Sequence, residues 1–192
     1  MLEEKVMPAP TEDKRRRSAQ DRRSIAVKLS EVRSGAQSRI DTKIGELNRV
    51  LGGGLVRGSL TLVSGEPGIG KSTLIIQAAS NIAEEGQPVL YVTGEESTEQ
   101  VKMRADRVCK GKQGNLYLMA ETNMENIIDA ASELLPCFIV IDSIQTMYSA
   151  DLESAPGSVS QVRACANELM RIGKVKDIPV FIVAHVTKSG DL

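Results

Sequence analysis

Apolar residues along this 192-residue chain follow two alternating patterns, one typical of strands and the other typical of helices. Five short segments are continuously apolar or β-branched, as expected of strands buried in a parallel sheet. Between them, apolar residues recur every three or four positions, which is typical of helices that pack by one face. The predicted strands are 59–64, 89–92, 116–119, 137–143 and 178–184, and the predicted helices are 72–83, 97–109, 122–134 and 158–173. This order predicts an α/β fold with a mostly parallel central sheet flanked by helices.

Polar residues and glycines mark the ends of several predicted helices. Ser97 with Gln100, and Thr122 with Glu125, have the spacing of N-terminal capping boxes. The triple glycine at 52–54 is expected to end a short helix over 44–51. On the helix over 97–109, the basic residues are expected to form a solvated face, namely Lys102, Arg104, Arg107 and Lys110.

The segment between the first predicted strand and the following helix spells G-x-x-x-x-G-K-[ST], the phosphate-binding P-loop. Gly65, Gly68 and Gly70 are expected to adopt backbone angles closed to other residues, so that the loop curls around a phosphate. The positive end of the helix dipole adds to that field. A glycine-rich turn that happens to hold a lysine is the alternative, which the flanking strand and helix argue against. The predicted nucleotide-binding residues are Gly65, Glu66, Pro67, Gly68, Ile69, Gly70, Lys71, Ser72 and Thr73.

Three residues have the positions expected for phosphate and metal chemistry. Lys71 is predicted to reach the β- and γ-phosphates of a nucleotide, and the Ser72 hydroxyl is predicted to bind Mg²⁺. Asp142 follows four consecutive apolar residues at the end of a predicted strand, where a carboxylate can hold a Mg²⁺ water. The alternative for Asp142 is a capping or turn residue at a strand end. The sequence thus predicts a nucleoside triphosphate with Mg²⁺.

Further polar residues are predicted at the same edge, because ligands of parallel sheets bind beyond the carboxyl ends of the strands. Glu95 or Glu96 is a candidate general base for hydrolysis, with Glu95 preferred; the alternative is a surface pair that begins a helix. His185, the one histidine, lies where it could sense a γ-phosphate or serve a purely structural role. Lys188 could contact phosphate or nucleic acid, or could simply be solvated. The residue pattern alone leaves these alternatives open.

The amino-acid composition favours a globular protein over a membrane-spanning or disulfide-rich one. Hydrophobic residues make up 41% of the chain and the net charge is −1, which is typical of a globular protein. No apolar run approaches the roughly 20 residues of a membrane helix, and the N-terminus lacks an apolar signal, so we expect a cytoplasmic protein without a membrane partner. Cys109, Cys137 and Cys165 lack the spacing of a zinc site or disulfide framework and are expected to act as small apolar residues.

Residues 1–38 differ from the rest in being rich in charge and poor in periodicity. They include the basic run Lys14-Arg15-Arg16-Arg17. We predict a disordered basic linker or tail over 1–38, followed by a nucleotide-binding core over 39–192. The alternative is a sequence-independent contact with nucleic-acid phosphates. The linker is preferred because short basic runs are common and weakly specific.

Beyond the P-loop, several motifs closely resemble those of the bacterial RadA (Sms) DNA-repair ATPases. The similar segments are 39–42, 45–54, 91–97, 104–107, 140–146, 157–163 and 184–188, so that the resemblance covers about residues 39–190. It implies a RecA-type ATPase core that binds ATP and Mg²⁺ and serves recombination-dependent repair. In this family the protein acts on single-stranded and branched DNA as a hexameric ring. The resemblance also supports Glu95 or Glu96 as the hydrolytic carboxylate and His185 as a γ-phosphate sensor.

The family pattern is only partly present. Members usually begin with a four-cysteine zinc module and continue into a Lon-protease-like domain, neither of which this sequence contains. We therefore expect an incomplete ATPase core, in which nucleotide binding survives while hydrolysis, ring formation and tight DNA binding are impaired. The alternative function is a nucleotide-gated ring-assembly ATPase, similar to the circadian-clock proteins that share the core and the paired glutamates. A third reading is a relative of the replicative helicases.

Overall fold

The structure, a computed structural model, describes residues 26–31, 39–109 and 114–185. Contacts divide the chain into two units, 1–36 and 37–192. In the first unit a 3₁₀ turn spans Leu29–Glu31. The basic run at 14–17 and Lys188 lie outside the described residues. The tail over 1–38, and its boundary with the core, therefore stay predictions.

The second unit alternates strands and helices in the predicted order. The helices are α1 (Gly45–Val50), α2 (Lys71–Glu84), α3 (Thr98–Val108), α4 (Met124–Leu134) and α5 (Val159–Lys176). The strands are β1 (Leu60–Gly65), β2 (Val89–Thr93), β3 (Leu116–Ala120), β4 (Phe138–Asp142) and β5 (Val180–His185). A 3₁₀ turn, Ile144–Thr146, follows β4 within the segment predicted as a loop. Each predicted strand is present, with ends shifted by one or two residues.

All neighbouring strands pair in parallel, in the order β1-β5-β4-β2-β3. The predicted α/β fold with a parallel sheet is thus confirmed. Two apolar clusters cover its faces. Leu90, Ile139 and Ile182 pack on one side with α4 and α5, while Tyr91, Val140 and Phe181 pack on the other with α2 and α3. Consecutive strand residues point to opposite faces, and both faces are covered, so β2, β4 and β5 are apolar up to their last residues, Thr93, Asp142 and His185.

The prediction that the first strand is buried was wrong. Along β1, exposed and half-buried residues alternate, and Leu62 is 57% exposed. The reason is topology, because β1 lies at one end of the strand order, and Val63 is its one apolar residue that packs against a buried cluster. A sequence window does not reveal whether an apolar strand is central or at an edge.

Most of the predicted helix ends are confirmed. Ser97 and Gln100 form the reciprocal capping box of α3. The Thr122 cap was wrong, because Asn123 precedes α4 and its side chain accepts a hydrogen bond from the Glu125 backbone N–H. Cys137 and Cys165 are buried as predicted, and burial raises the pKa of the Cys165 thiol to about 11.

The edge-to-face pair of Phe138 and Phe181 provides a test of the core. Their ring centroids are 5.2 Å apart and both side chains are fully buried. We expect Phe181→Ala to lower the free energy of unfolding by about 3–5 kcal/mol, because it removes apolar contacts and leaves a cavity. Leu62→Ala on exposed β1 is the control and should cost under about 1 kcal/mol. If urea denaturation showed that both variants lose the same free energy of unfolding, this assignment of the core would be contradicted.

Candidate nucleotide-binding site

The carboxyl ends of four strands meet at one edge of the sheet. In the strand register, Thr93 lies opposite Asp142, and Gly65 lies opposite His185. A cleft of about 330 Å³ opens there. It is lined by Pro67, Gly68, Gly70, Lys71, Ser72, Thr73, Thr93, Glu95, Glu96, Arg104, Asp142 and His185. The predicted loop residues outside this lining are Gly65, Glu66 and Ile69.

The loop between β1 and α2 has the predicted backbone conformation at two of its three glycines. The φ angles of Gly68 and Gly70 are +79° and +101°, in the region that residues with side chains avoid. Gly65 was predicted to share this property and does not, because it ends β1 in extended conformation. A Cβ atom at Gly65 would lie 3.6 Å from Lys71 Cδ. This is an ordinary van der Waals distance, so neither the backbone angle nor the space around Gly65 requires a glycine there.

Lys71 begins α2 and turns its side chain back along the loop. Its Nζ donates hydrogen bonds to the backbone carbonyls of Gly65 and Glu66, both at 2.8 Å. These bonds satisfy an ammonium group that is largely buried. Since lysine carries three N–H donors, one donor remains for a phosphate oxygen in the cleft.

Asp142 ends β4 and is held by a buried tyrosine. The Tyr91 hydroxyl donates a 2.5 Å hydrogen bond to Asp142 Oδ2, and Arg104 Nη2 lies 3.8 Å from the same oxygen. Burial and the adjacent Asp142 charge raise the pKa of Tyr91 far above its usual value, so that the phenol stays a donor. The tyrosine and the arginine both approach Oδ2, so neither of them engages the other carboxylate oxygen, Oδ1.

Glu95 and Glu96 follow β2 in different environments. Glu96 Oε1 lies 2.5 Å from Arg104 Nη1, and the Glu96 backbone N–H donates to Thr93 Oγ1. Glu95 Oε1 instead accepts a hydrogen bond from the Ser143 hydroxyl and lies 3.7 Å from His185 Nε2. The salt bridge to arginine thus engages Glu96 but not Glu95.

Gly94 fixes the turn that carries both glutamates. Its N–H donates to the Asp142 carbonyl, and an added Cβ would lie 2.0 Å from Thr146 Oγ1. No side chain fits there without displacing the turn after β4. This close approach aligns the end of β2 with Asp142.

Arg104 was expected on the solvated face of its helix, and this prediction was wrong. Its side chain is only 13% exposed and reaches Glu96, Asp142 and the Tyr91 hydroxyl. Helical periodicity predicts a charged face for this helix. In the structure, however, Arg104 lies one turn after Gln100 and contacts residues at the ends of β2 and β4, which are far from it in sequence. An arginine that follows a buried face residue, Val101, by three positions was the available signal.

His185 ends β5 and contacts the turn after β4 through its backbone. The Gln145 side-chain amide donates to the His185 carbonyl at 2.9 Å. Within the described part of the chain, His185 Nδ1 is buried and has no hydrogen-bond partner. The imidazole therefore approaches Glu95 through Nε2, and its other ring nitrogen, Nδ1, makes no hydrogen bond to the described residues.

The chemistry of the cleft fits a Mg²⁺ nucleotide better than a metal held by protein alone. Across residues 26–31, 39–109 and 114–185, no cluster of three or more His, Cys, Asp or Glu side chains could hold a metal ion. Magnesium is characteristically bound by one or two protein oxygens together with phosphates and water. Ser72 and Asp142 line the same cleft as the phosphate loop and offer such a pair.

The parallel sheet and the glycine loop with its lysine define the class of P-loop nucleotide-binding proteins. More particularly, the chain belongs to the AAA domain family, whose model matches residues 26–191.

Known relatives agree with this classification and confirm the resemblance to bacterial RadA. The chain is 47% identical over 196 residues to the DNA repair protein RadA of Bacillus subtilis, covering 100% of this chain and 42% of that protein. It is 50% identical to RadA of Listeria monocytogenes, covering 87% and 36%, and 52% identical to RadA of Halalkalibacterium halodurans, covering 84% and 35%. The chain thus spans about two fifths of the length of these relatives. None of the helices described is long and apolar enough to cross a membrane.

The buried Tyr91 hydroxyl gives a testable pH dependence. Folding raises the pKa of this phenol above its usual value of 10.0. Its contribution to the free energy of unfolding is therefore fully present below about pH 10 and is lost as the pH rises beyond that value. Above about pH 10, we expect the free energy of unfolding to fall more steeply with pH for the wild type than for Tyr91→Phe. Urea denaturation of both proteins at several alkaline pH values measures this. A difference that does not change with pH would contradict the assignment.

Proposed function

We propose that this chain binds ATP with Mg²⁺ and forms the ATP-hydrolysing core of a DNA-repair protein. The observation that carries the proposal is the convergence of a P-loop lysine, Asp142 and Glu95 in one cleft. Phosphoryl transfer needs positioning and charge stabilisation more than covalent chemistry, and these groups supply both.

Nucleotide binding rests on the loop and on the start of α2. The backbone N–H groups around Gly68 and Gly70 surround the phosphates, and the third donor of Lys71 reaches them. Ser72 and Asp142 would hold the metal, which would supply neutralisation of the phosphate charge and stabilisation of the transferred phosphoryl group. Tyr91 keeps Asp142 oriented through Oδ2.

Glu95 is the better candidate for activating water. A general base needs an available carboxylate oxygen in the cleft, and the Glu96 carboxylate is neutralised by its contact with Arg104. The Glu95 side chain is 47% exposed and contacts Ser143, which directly follows Asp142. Glu96 serves instead as part of the support of the site.

His185 is suited to reporting the nucleotide state. Its Nε2 lies 3.7 Å from Glu95 Oε1, and the Gln145 side chain bonds its carbonyl to the turn that follows Asp142. A γ-phosphate near Glu95 and Nε2 of His185 would bias this strand end, as in other switches that respond to that phosphate.

Action on DNA is supported by the relatives rather than by the cleft. The proteins to which this chain is 47–52% identical are named DNA repair protein RadA. From the resemblance to the RadA family, we propose single-stranded or branched DNA as the partner of a protein with this core, and a homo-oligomer, a hexamer, as its working form. A nucleotide-gated assembly protein remains the alternative, and DNA-stimulated ATP hydrolysis separates the two.

The roles of Lys71 and Glu95 predict different defects. Lys71→Ala should weaken binding of a fluorescent ATP analogue with Mg²⁺ by about 10- to 100-fold, because a charge-assisted contact is lost. Glu95→Gln should preserve binding and lower phosphate release by about 100-fold or more. Titration and phosphate-release assays, with and without single-stranded DNA, measure both.

Glu96→Gln is the matched control for Glu95→Gln, because it makes the same change one residue away. It should lower phosphate release much less at full nucleotide occupancy. If Glu96→Gln abolished release while Glu95→Gln did not, the assignment of the base would be reversed. If Lys71→Ala and the wild type bound equally, the nucleotide site itself would be wrong.

His185 can be observed directly, since it is the one histidine in the sequence. We expect its imidazole NMR signals to shift when a non-hydrolysable ATP analogue with Mg²⁺ binds and to shift less with ADP, because only the former carries a γ-phosphate. Gln145→Ala should reduce the difference between the two nucleotides. Identical spectra with both nucleotides would argue against the sensor role.

A further inference from the structure

One guanidinium group lies among the acidic groups of the cleft. Glu95, Glu96 and Asp142 all line it, and Arg104 contacts two of them. Its Nη1 atom lies 2.5 Å from Glu96 Oε1, and its Nη2 atom lies 3.8 Å from Asp142 Oδ2. A single side chain thus balances charge at the ends of two strands.

The helix places this group firmly. The capping box of Ser97 and Gln100 fixes the start of α3, and Val101 and Ala105 are buried on either side of Arg104. Arg104 Nη2 also donates to the Tyr91 hydroxyl at 3.3 Å, while Nε is buried without a partner among the described residues. With 13% of the side chain exposed, solvent screens its charge poorly.

Two neighbouring carboxylates attract a divalent cation by themselves. Without Arg104, Glu96 and Asp142 would present two negative charges in the cleft that Ser72 also lines, and Mg²⁺ and Mn²⁺ prefer such oxygen ligands. The guanidinium neutralises one of these charges and repels an approaching cation. Phosphate groups would restore the negative charge that Arg104 cancels.

We propose that Arg104 makes divalent-cation binding at Asp142 depend on nucleotide, so that the metal binds well only together with phosphate groups. The inference rests on the proposed role of Asp142 in holding the metal. Arg104 acts here as a positioning residue, through its contacts with Asp142 and Glu96. An arginine suits this role because its planar group contacts two carboxylates and the phenol at once.

The test measures Mn²⁺ binding to the protein in the absence of nucleotide, by electron paramagnetic resonance of the free ion. Removing one nearby positive charge should tighten Mn²⁺ binding roughly tenfold in Arg104→Gln. Arg104→Met retains the apolar part of the side chain and provides a second neutral replacement if the first is poorly folded. Circular dichroism verifies the fold of each variant.

Two controls separate this contact from general charge effects. Arg107→Gln removes the same charge from an exposed position three residues further along α3 and should leave Mn²⁺ affinity unchanged. Arg104→Lys keeps the charge and should remain close to wild type. In addition, the enhancement of Mn²⁺ affinity by an ATP analogue should be roughly tenfold smaller in Arg104→Gln than in wild type.

The outcomes are distinct. A gain in both neutral variants of Arg104, but not in Arg107→Gln or Arg104→Lys, supports the proposal. No gain in a folded neutral variant, or an equal gain in Arg107→Gln, overturns it. Failure of the wild type to bind the ATP analogue would count against the proposed function, while the comparison without nucleotide would still decide the role of Arg104.

Discussion

The parallel register of β1, β5, β4 and β2 is the constraint on which the candidate site depends. Parallel strands joined by helices direct all their carboxyl ends to one edge, so four turns meet there without any further requirement. Pairing of Thr93 with Asp142, and of Gly65 with His185, sets which side chains are neighbours. A slip of one residue in either pair would turn every following side chain to the opposite face.

Much of this arrangement could be predicted from the sequence because its signals are local. The loop 65–73 and the apolar strand before Asp142 are each recognisable from about ten consecutive residues. The alternation of strands and helices predicts that the carboxyl ends of the strands meet at one edge of the sheet. Glu95, Glu96, Asp142 and His185 were placed at that edge because each lies at the carboxyl end of a predicted strand, and all four line the cleft. Their location in the cleft does not by itself test the chemical role of each residue.

The features that sequence reasoning missed depend on packing between distant segments. Tyr91 has the pattern of an ordinary strand residue, and only the approach of β4 turns its hydroxyl into a partner of Asp142. Arg104 fits a polar helix face until α3 is placed beside the ends of β2 and β4. The exposure of β1 likewise follows from its end position in the strand order. Each of these depends on tertiary neighbours, which no periodicity encodes.

The site combines groups held rigidly with groups held loosely. Lys71, Asp142 and Glu96 are fixed by hydrogen bonds or salt bridges to the loop, Tyr91 and Arg104, which favours electrostatic stabilisation without reorganisation. The Glu95 side chain is 47% exposed, and Nδ1 of the His185 imidazole has no partner within the described ranges. In the proposed function, binding belongs to the rigidly held groups. The response to the state of the nucleotide is proposed for Glu95 and His185.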